Sequence, residues 1–163
     1  MHRLAKELLT EKLKEIEKQN NISCKFKELY WNKNYGVFSE LPFYDNSDIY
    51  YFESSYSIIN FNGYDDNNID KRGENCLDWM DKSKNGKILF VPDICIFHQG
   101  RASIIIEVVH TNPVSQRKIE IMNNFFNGNH YELYEVEASD ILNSLTSELE
   151  KVKMKKIKYD NNI

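Results

Sequence analysis

The chain has 163 residues, a length suited to one domain with a sizeable core, and we predict a single domain over residues 1–163. Its 21 Lys and Arg residues against 25 Asp and Glu residues give a formal net charge of −4. This charge excludes a protein that binds nucleic acid through a uniform positive field, so any phosphate-binding surface must be local. Hydrophobic residues make up 41% of the chain, which excludes general disorder.

The cysteines and the N-terminal region bear on where the protein works. Cys24, Cys76 and Cys95 are widely separated and form no CxxC pair, so neither a zinc site nor a redox motif is indicated. We interpret them as reduced thiols of an intracellular, cytoplasmic protein. Charged residues fill the region where a signal peptide would be apolar, and no run of about eighteen apolar residues occurs. The sequence therefore predicts neither secretion nor a membrane partner.

The first third of the chain predicts one helix and then a strand-rich segment. From His2 to about Gln19, apolar residues recur at helical spacing and predict an amphipathic helix. Residues 21–61 are rich in aromatic and β-branched residues broken by turn-forming ones, and we interpret them as an inserted antiparallel meander. Within this part of the chain and just after it we expect strands at 24–31 and 49–60, a surface loop at 62–72 and a short helix at 74–82.

Two apolar runs in the middle of the chain predict the core of a β-sheet. Residues 87–98 and 103–110 are apolar at odd and even positions alike, as in strands buried on both faces, and Gln99-Gly100 supplies a turn between them. A helix follows from Pro113 to about Asn127, where Gly128 supplies a stop. A strand at 130–136 and a last helix over about 140–158, with Asp140 as its N-cap, complete the chain. Together these elements predict an α/β fold with a central mixed β-sheet flanked by helices.

Two carboxylates inside apolar strands are the main chemical anomaly of the sequence. Asp93 and Glu107 lie within the two central runs, where an ionised acid costs several kcal/mol unless it is compensated. If the runs are neighbouring strands, both acids approach one point and form a site for a hard cation such as Mg²⁺. The alternative is that each acid meets a basic side chain or a backbone donor and serves structure.

Lys118 adds a cation to the same region. At about 3.6 residues per turn it falls in the middle of the apolar stripe formed by Val114, Ile121, Met122 and Phe125, rather than on the solvent side. Either it points inward toward the two acids, or its stem covers the apolar face and its ammonium reaches solvent.

These residues together resemble the PD-(D/E)XK nuclease superfamily, in particular its competence-protein-like branch. The resemblance rests on Pro92-Asp93, on the segment 106–111 (IEVVHT), whose Glu107 follows Asp93 after thirteen intervening residues, and on Lys118 of the next helix. The opening segment 2–6 (HRLAK) is similar to the first helix of that branch, which carries a histidine and a lysine four residues apart. The resemblance covers the first helix and residues 88 to about 137. It implies a restriction-endonuclease-like core and the activity of a phosphodiester hydrolase.

The resemblance also implies roles for the acidic residues and the lysine. Asp93 and Glu107 would bind Mg²⁺, for which Mn²⁺ can substitute, assisted by the backbone carbonyl of Val108. The family lysine would steady the attacking water, but Val109 stands where the simplest pattern has lysine. Either Lys118 supplies the missing ammonium from the helix, or the domain binds a nucleic acid, a nucleotide or a protein without cutting.

The remaining assignments concern the residues around these acids. If strand geometry persists, Thr111 shares the side of Glu107 and can bind a carboxylate or the scissile phosphate. His110 then points away, as a general acid or a buried donor. By resemblance, His2 and Lys6 would contact the nucleic acid, to which we also assign Arg117. We expect the substrate to be DNA rather than RNA, and a homodimer is possible by analogy with nucleases that cut both strands.

Overall fold

The computed structural model describes residues 2–19, 23–32, 36–45, 86–98, 101–144 and 152–157. In these residues the chain forms three helices and nine strands. In chain order they are α1 (His2–Gln19), β1 (Ser23–Phe26), β2 (Leu29–Asn32), β3 (Val37–Ser39), β4 (Phe43–Tyr44), β5 (Ile88–Phe90), β6 (Ile94–His98), β7 (Arg101–Val109), α2 (Gln116–Phe126), β8 (Glu132–Glu137), α3 (Ala138–Asn143) and β9 (Met154–Lys156).

A five-stranded mixed sheet forms the centre of the fold. Its strand order is β3-β6-β7-β8-β9, with β7 and β8 parallel and the other neighbours antiparallel. The predicted α/β class with a mixed sheet flanked by helices is thereby confirmed. The long connection from β7 to β8 contains α2, as parallel pairing requires. Outside this sheet, β1 pairs with β2 and β4 pairs with β5.

The sheet separates two hydrophobic cores. Ile104, Ile106 and Val108 of β7 join the core on the α1 face, while Ile105 joins the core on the α2 face. This alternation follows from the two-residue period of a strand, and it explains why this run is apolar at odd and even positions alike. Ala102 also joins the α2-side core, because the register with β6 shifts between Ala102 and Ile104. From Ile104 onward, the odd-numbered side of β7 therefore faces α2.

The predicted strand 87–98 is broken in the structure. Its first part, β5, pairs with β4, and its second part, β6, belongs to the central sheet. The break falls at Val91-Pro92-Asp93, where Pro92 has no N–H to donate to a ladder. As a result Asp93 lies just ahead of β6, at a bend in the chain.

The segment predicted as an inserted meander is likewise divided. Residues 24–31, expected as one strand, form the hairpin β1–β2, whose turn contains Lys27 at a φ of 56°. β3 belongs to the central sheet through its pairing with β6, so this segment contributes to the main sheet as well as to smaller strand pairs. The predictions for 49–60, 62–72 and 74–82, and Cys76, lie outside the described residues.

The predicted helix over 140–158 is wrong in its extent. The described helix is α3, which begins at Ala138 with Glu137 rather than Asp140 as its N-cap, and residues 154–156 are the edge strand β9. Val152 and Met154 are buried whereas Lys153 and Lys155 are exposed, which is a two-residue period. The helix was predicted this far because Leu142, Leu145 and Leu149 recur upstream at helical spacing. Met154 is fixed in the strand by its pairing with Val136 of β8.

Two other predicted elements agree with the structure. α2 follows Pro113, and the Ser115 side chain caps its start. Asn127 ends it in the left-handed conformation, next to the predicted stop at Gly128, whose φ is 83°. The strand predicted at 130–136 is β8. No helix of the described residues is long and apolar enough to cross a membrane.

Candidate functional site

Asp93 and Glu107 meet where β6 begins and β7 ends. The two strands are antiparallel, and Ile94 opposite Ile106 sets the register that brings the acids together. The main-chain N–H of Asp93 donates to Glu107 Oε2 at 3.1 Å, and that of Val108 donates to Asp93 Oδ2 at 2.8 Å. Each carboxylate is therefore held by the backbone of the other's strand.

Glu107 is the more deeply buried of the two acids, with only 4% of its side chain exposed against 16% for Asp93. Burial raises the pKa of Glu107, the Lys118 ammonium lowers it and the nearby Asp93 carboxylate raises it again, so that it is about 7. Lys118 thus offsets only part of the cost of burying the Glu107 carboxylate beside Asp93. Such perturbed acids are typical of functional sites.

Lys118 points into this site from the first turn of α2. Its main-chain N–H donates to the capping Ser115 hydroxyl at 3.1 Å, and its ammonium forms an ion pair with Glu107 Oε1. The ammonium also donates to the carbonyl of Val91 at 3.2 Å. The structure thus has Lys118 facing the acids, the first of the two orientations that the sequence left open.

The buried face of α2 is rotated relative to the apolar stripe from which the inward direction of Lys118 was predicted. The residues of α2 that are fully buried are Ile119, Met122 and Phe126, whereas Ile121 and Phe125 are only partly buried. Lys118 therefore lies at the border of the buried stripe, and 30% of its side chain is exposed.

The first turn of α1 approaches the acids from the other side of the sheet. His2 Nε2 lies 2.7 Å from the carbonyl oxygen of Val108 and 3.3 Å from Asp93 Oδ2. The imidazole thus contacts two of the groups that the sequence assigned to metal binding. Since 44% of the His2 side chain is exposed, solvent also reaches this edge of the site.

Lys6, one turn further along α1, is buried against two carboxylates. Its Nζ lies 2.5 Å from Glu40 Oε1 and 3.5 Å from Asp93 Oδ1. Burial alone would lower the pKa of Lys6, but Glu40 and Asp93 more than offset this and raise it above its ordinary value. Sequence reasoning missed Glu40, because nothing in its neighbourhood marks it as inward or functional.

A cleft of about 390 Å³ opens over the acids and the end of β7. β7 ends at Val109, so His110 and Thr111 lie in an exposed bend rather than in a strand, and the predicted alternation of their side chains does not apply. Both residues nevertheless line the cleft, whereas Lys6 and Arg117 do not. The cleft is lined by His2, Asp93, residues 107–114 and Lys118.

Glu135 is a third buried acid beside the site, and our sequence reasoning missed it. It pairs in register with Glu107 across the parallel strands β7 and β8, and its Oε2 accepts the Val114 N–H at 2.7 Å. Three of the six residues of β8 are glutamates, so Glu135 does not stand out locally, and its place beside Glu107 depends on a long-range pairing. Glu135 tethers the loop between β7 and α2, which forms one wall of the cleft.

Replacement of Glu135 by alanine should lower the free energy of unfolding by about 1–3 kcal/mol, because the Val114 N–H loses its acceptor. Glu135→Gln keeps an acceptor oxygen and should cost clearly less, while Glu137→Ala, at an exposed position of the same strand, should change stability by less than about 0.5 kcal/mol. Urea denaturation measures all three. Equal losses for the glutamine and alanine variants of Glu135 would contradict the tether.

The site fits a hard divalent cation in part. Among the described residues no group of three or more His, Cys, Asp or Glu side chains is placed to hold a metal ion. Two close carboxylates and the Val108 carbonyl are nevertheless ligands that Mg²⁺ uses, and Mg²⁺ keeps several of its waters. The carboxylate of Asp93 raises the pKa of Glu107 by its charge, and a divalent ion beside both would remove that cost.

Comparisons of the chain with protein-family models, with curated proteins and with solved structures found no match.

Proposed function

We propose that the chain is a metal-dependent nuclease of PD-(D/E)XK type with a restriction-endonuclease-like core. It would hydrolyse phosphodiester bonds of DNA, or of RNA, with Mg²⁺ as cofactor and Mn²⁺ able to replace it. The observation that carries the proposal is the convergence of Asp93, Glu107 and Lys118 at one end of the central sheet, beneath an open cleft. Such a buried pair of acids with a lysine facing it is more than the packing of the sheet requires.

The two carboxylates and the Val108 carbonyl would hold the cation. A bound divalent ion would polarise the scissile phosphate and lower the pKa of an attacking water. Hydrogen bonds from the backbone already orient Asp93 and Glu107, so little rearrangement of these side chains is required. The His2 ring would have to move away from the Val108 carbonyl before a cation could bind that oxygen. The half-exposed side chain of His2 allows this movement.

Lys118 would supply the ammonium that PD-(D/E)XK enzymes carry at the position of Val109. Its charge lies beside Glu107, where it can stabilise negative charge that develops on the phosphate. Thr111 and His110 line the same cleft and are available for hydrogen bonds to the substrate. Arg117, exposed on the first turn of α2, would contact the nucleic-acid backbone outside the cleft.

A nuclease-like module that binds without cutting is the second candidate. It is favoured by Val109, an apolar residue that lines the cleft at the usual lysine position, and by the ion pairs that already neutralise both acids. Such a module would bind a nucleic acid, a nucleotide or a protein partner through the same cleft.

Incubation of the purified chain with supercoiled plasmid, linear duplex, single-stranded DNA and RNA tests the proposal. We expect cleavage of at least one substrate in Mg²⁺ or Mn²⁺, its loss in EDTA and its return when excess metal is added. Cleavage that persists in EDTA would contradict the metal-dependent mechanism. Binding of DNA or RNA without cleavage under every condition would favour the second candidate.

A further inference from the structure

The buried ammonium of Lys6 lies between the carboxylates of Asp93 and Glu40. Only 8% of the Lys6 side chain is exposed, and its Nζ lies within 3.5 Å of both Asp93 Oδ1 and Glu40 Oε1. Neither Lys6 nor Glu40 lines the cleft. This ammonium is therefore poorly placed to contact a substrate phosphate, and its role must be sought in the carboxylates that it joins.

The two oxygens of Asp93 have different partners. Oδ2 accepts the Val108 N–H and lies 3.3 Å from His2 Nε2, whereas Oδ1 lies 3.5 Å from Lys6 Nζ. A carboxylate that serves a different neighbour with each oxygen has the arrangement that bridges two cations in two-metal sites. Here the second neighbour is a lysine of the chain itself.

Glu40 is fixed at the far side of this ammonium. Its main-chain N–H donates to the carbonyl of Asp93 at 3.0 Å, and its φ of 53° lies in the left-handed region that favours glycine. A glutamate in this conformation is strained, and its contacts must offset that strain. The backbone thus holds Glu40 beside Asp93, although 63% of the Glu40 side chain is exposed.

We propose that the Lys6 ammonium is a built-in cation that occupies the place of a second divalent ion, so that the site takes one divalent ion only. This inference rests on the proposed function, because the single ion is the one expected at Asp93 and Glu107. Lys6 is then a positioning residue, which acts through Asp93. Its fixed charge orients that carboxylate and offsets part of the negative charge of the Asp93–Glu40 pair without a second metal.

Titration of the full chain with Mn²⁺ tests this inference, with isothermal calorimetry and the electron paramagnetic resonance of free Mn²⁺ as readouts. We expect the wild-type chain to bind one ion. Lys6→Met, which keeps the apolar stem, should bind two, and Lys6→Arg, which keeps the charge, should bind one. Adding Glu40→Gln to Lys6→Met should return the stoichiometry to one, because the extra ion loses its second carboxylate.

Each other outcome separates the inference from the proposed function. Two ions on the wild-type chain would overturn the inference and leave the proposed function standing. One ion on a folded Lys6→Met variant, checked by circular dichroism, would overturn the inference as well. No ion on the wild-type chain would overturn both. If Lys6→Met does not fold, the wild-type titration still tests the inference, because two ions on that chain would overturn it.

Discussion

Asp93→Asn and Glu107→Gln should each lower metal-dependent cleavage by a factor of about 1,000 or more. Each change removes a charge that would hold the cation, while the new amide keeps an oxygen for the hydrogen bonds that Val108 N–H and Asp93 N–H donate. Mn²⁺ affinity should fall with activity. Rates of plasmid nicking and calorimetric titration measure the two effects.

The design separates loss of function from loss of fold. The amides preserve the backbone contacts but remove the charged partners of Lys118 and Lys6, so urea denaturation of each variant beside the activity assay shows whether the fold is kept. Glu120→Gln, at an exposed position of α2 outside the cleft, is the matched control and should keep full activity. Activity retained by either cleft variant would mean that the cleavage comes from another site or from a contaminant.

The part of this site that the sequence predicts is the part encoded locally. Asp93 and Glu107 are anomalous within apolar runs, and a two-residue turn between the runs suffices to pair them. Lys118 follows from the periodicity of a single helix. These inferences need one hairpin and one helix, and the structure places all three residues together.

The parts of the structure that the sequence did not predict depend on pairing between distant segments of the chain. Glu135 adjoins Glu107 only because β8 is parallel to β7, and Glu40 reaches Lys6 through a loop 34 residues further along the chain. Neither position has an unusual local pattern. The edge strand β9 was predicted as helix for a related reason, since its pairing with β8 overrides a local leucine spacing.

Replacement of Lys118 by methionine should lower cleavage by a factor of about 100 to 10,000, the range for loss of a group that stabilises developing charge. The methionine keeps the apolar stem that lies along α2, so the effect should fall on the rate rather than on Mn²⁺ binding. Lys118→Arg keeps the charge with a different shape and should lose less. Single-turnover cleavage with excess enzyme measures the chemical step directly.

Moving the lysine provides the sharpest test of its role. Val109 lies two residues after Glu107 on the same strand and lines the cleft, so Val109→Lys places an ammonium on the side of β7 that carries Glu107. In the Lys118→Met background this second change should restore cleavage at least about tenfold, because the charge returns to the same carboxylate from the strand. Lys14→Met, at an exposed position of α1, is the control for loss of one positive charge and should leave cleavage unchanged. Full activity in Lys118→Met, without any second change, would show that the ammonium beside Glu107 only balances charge in the folded protein.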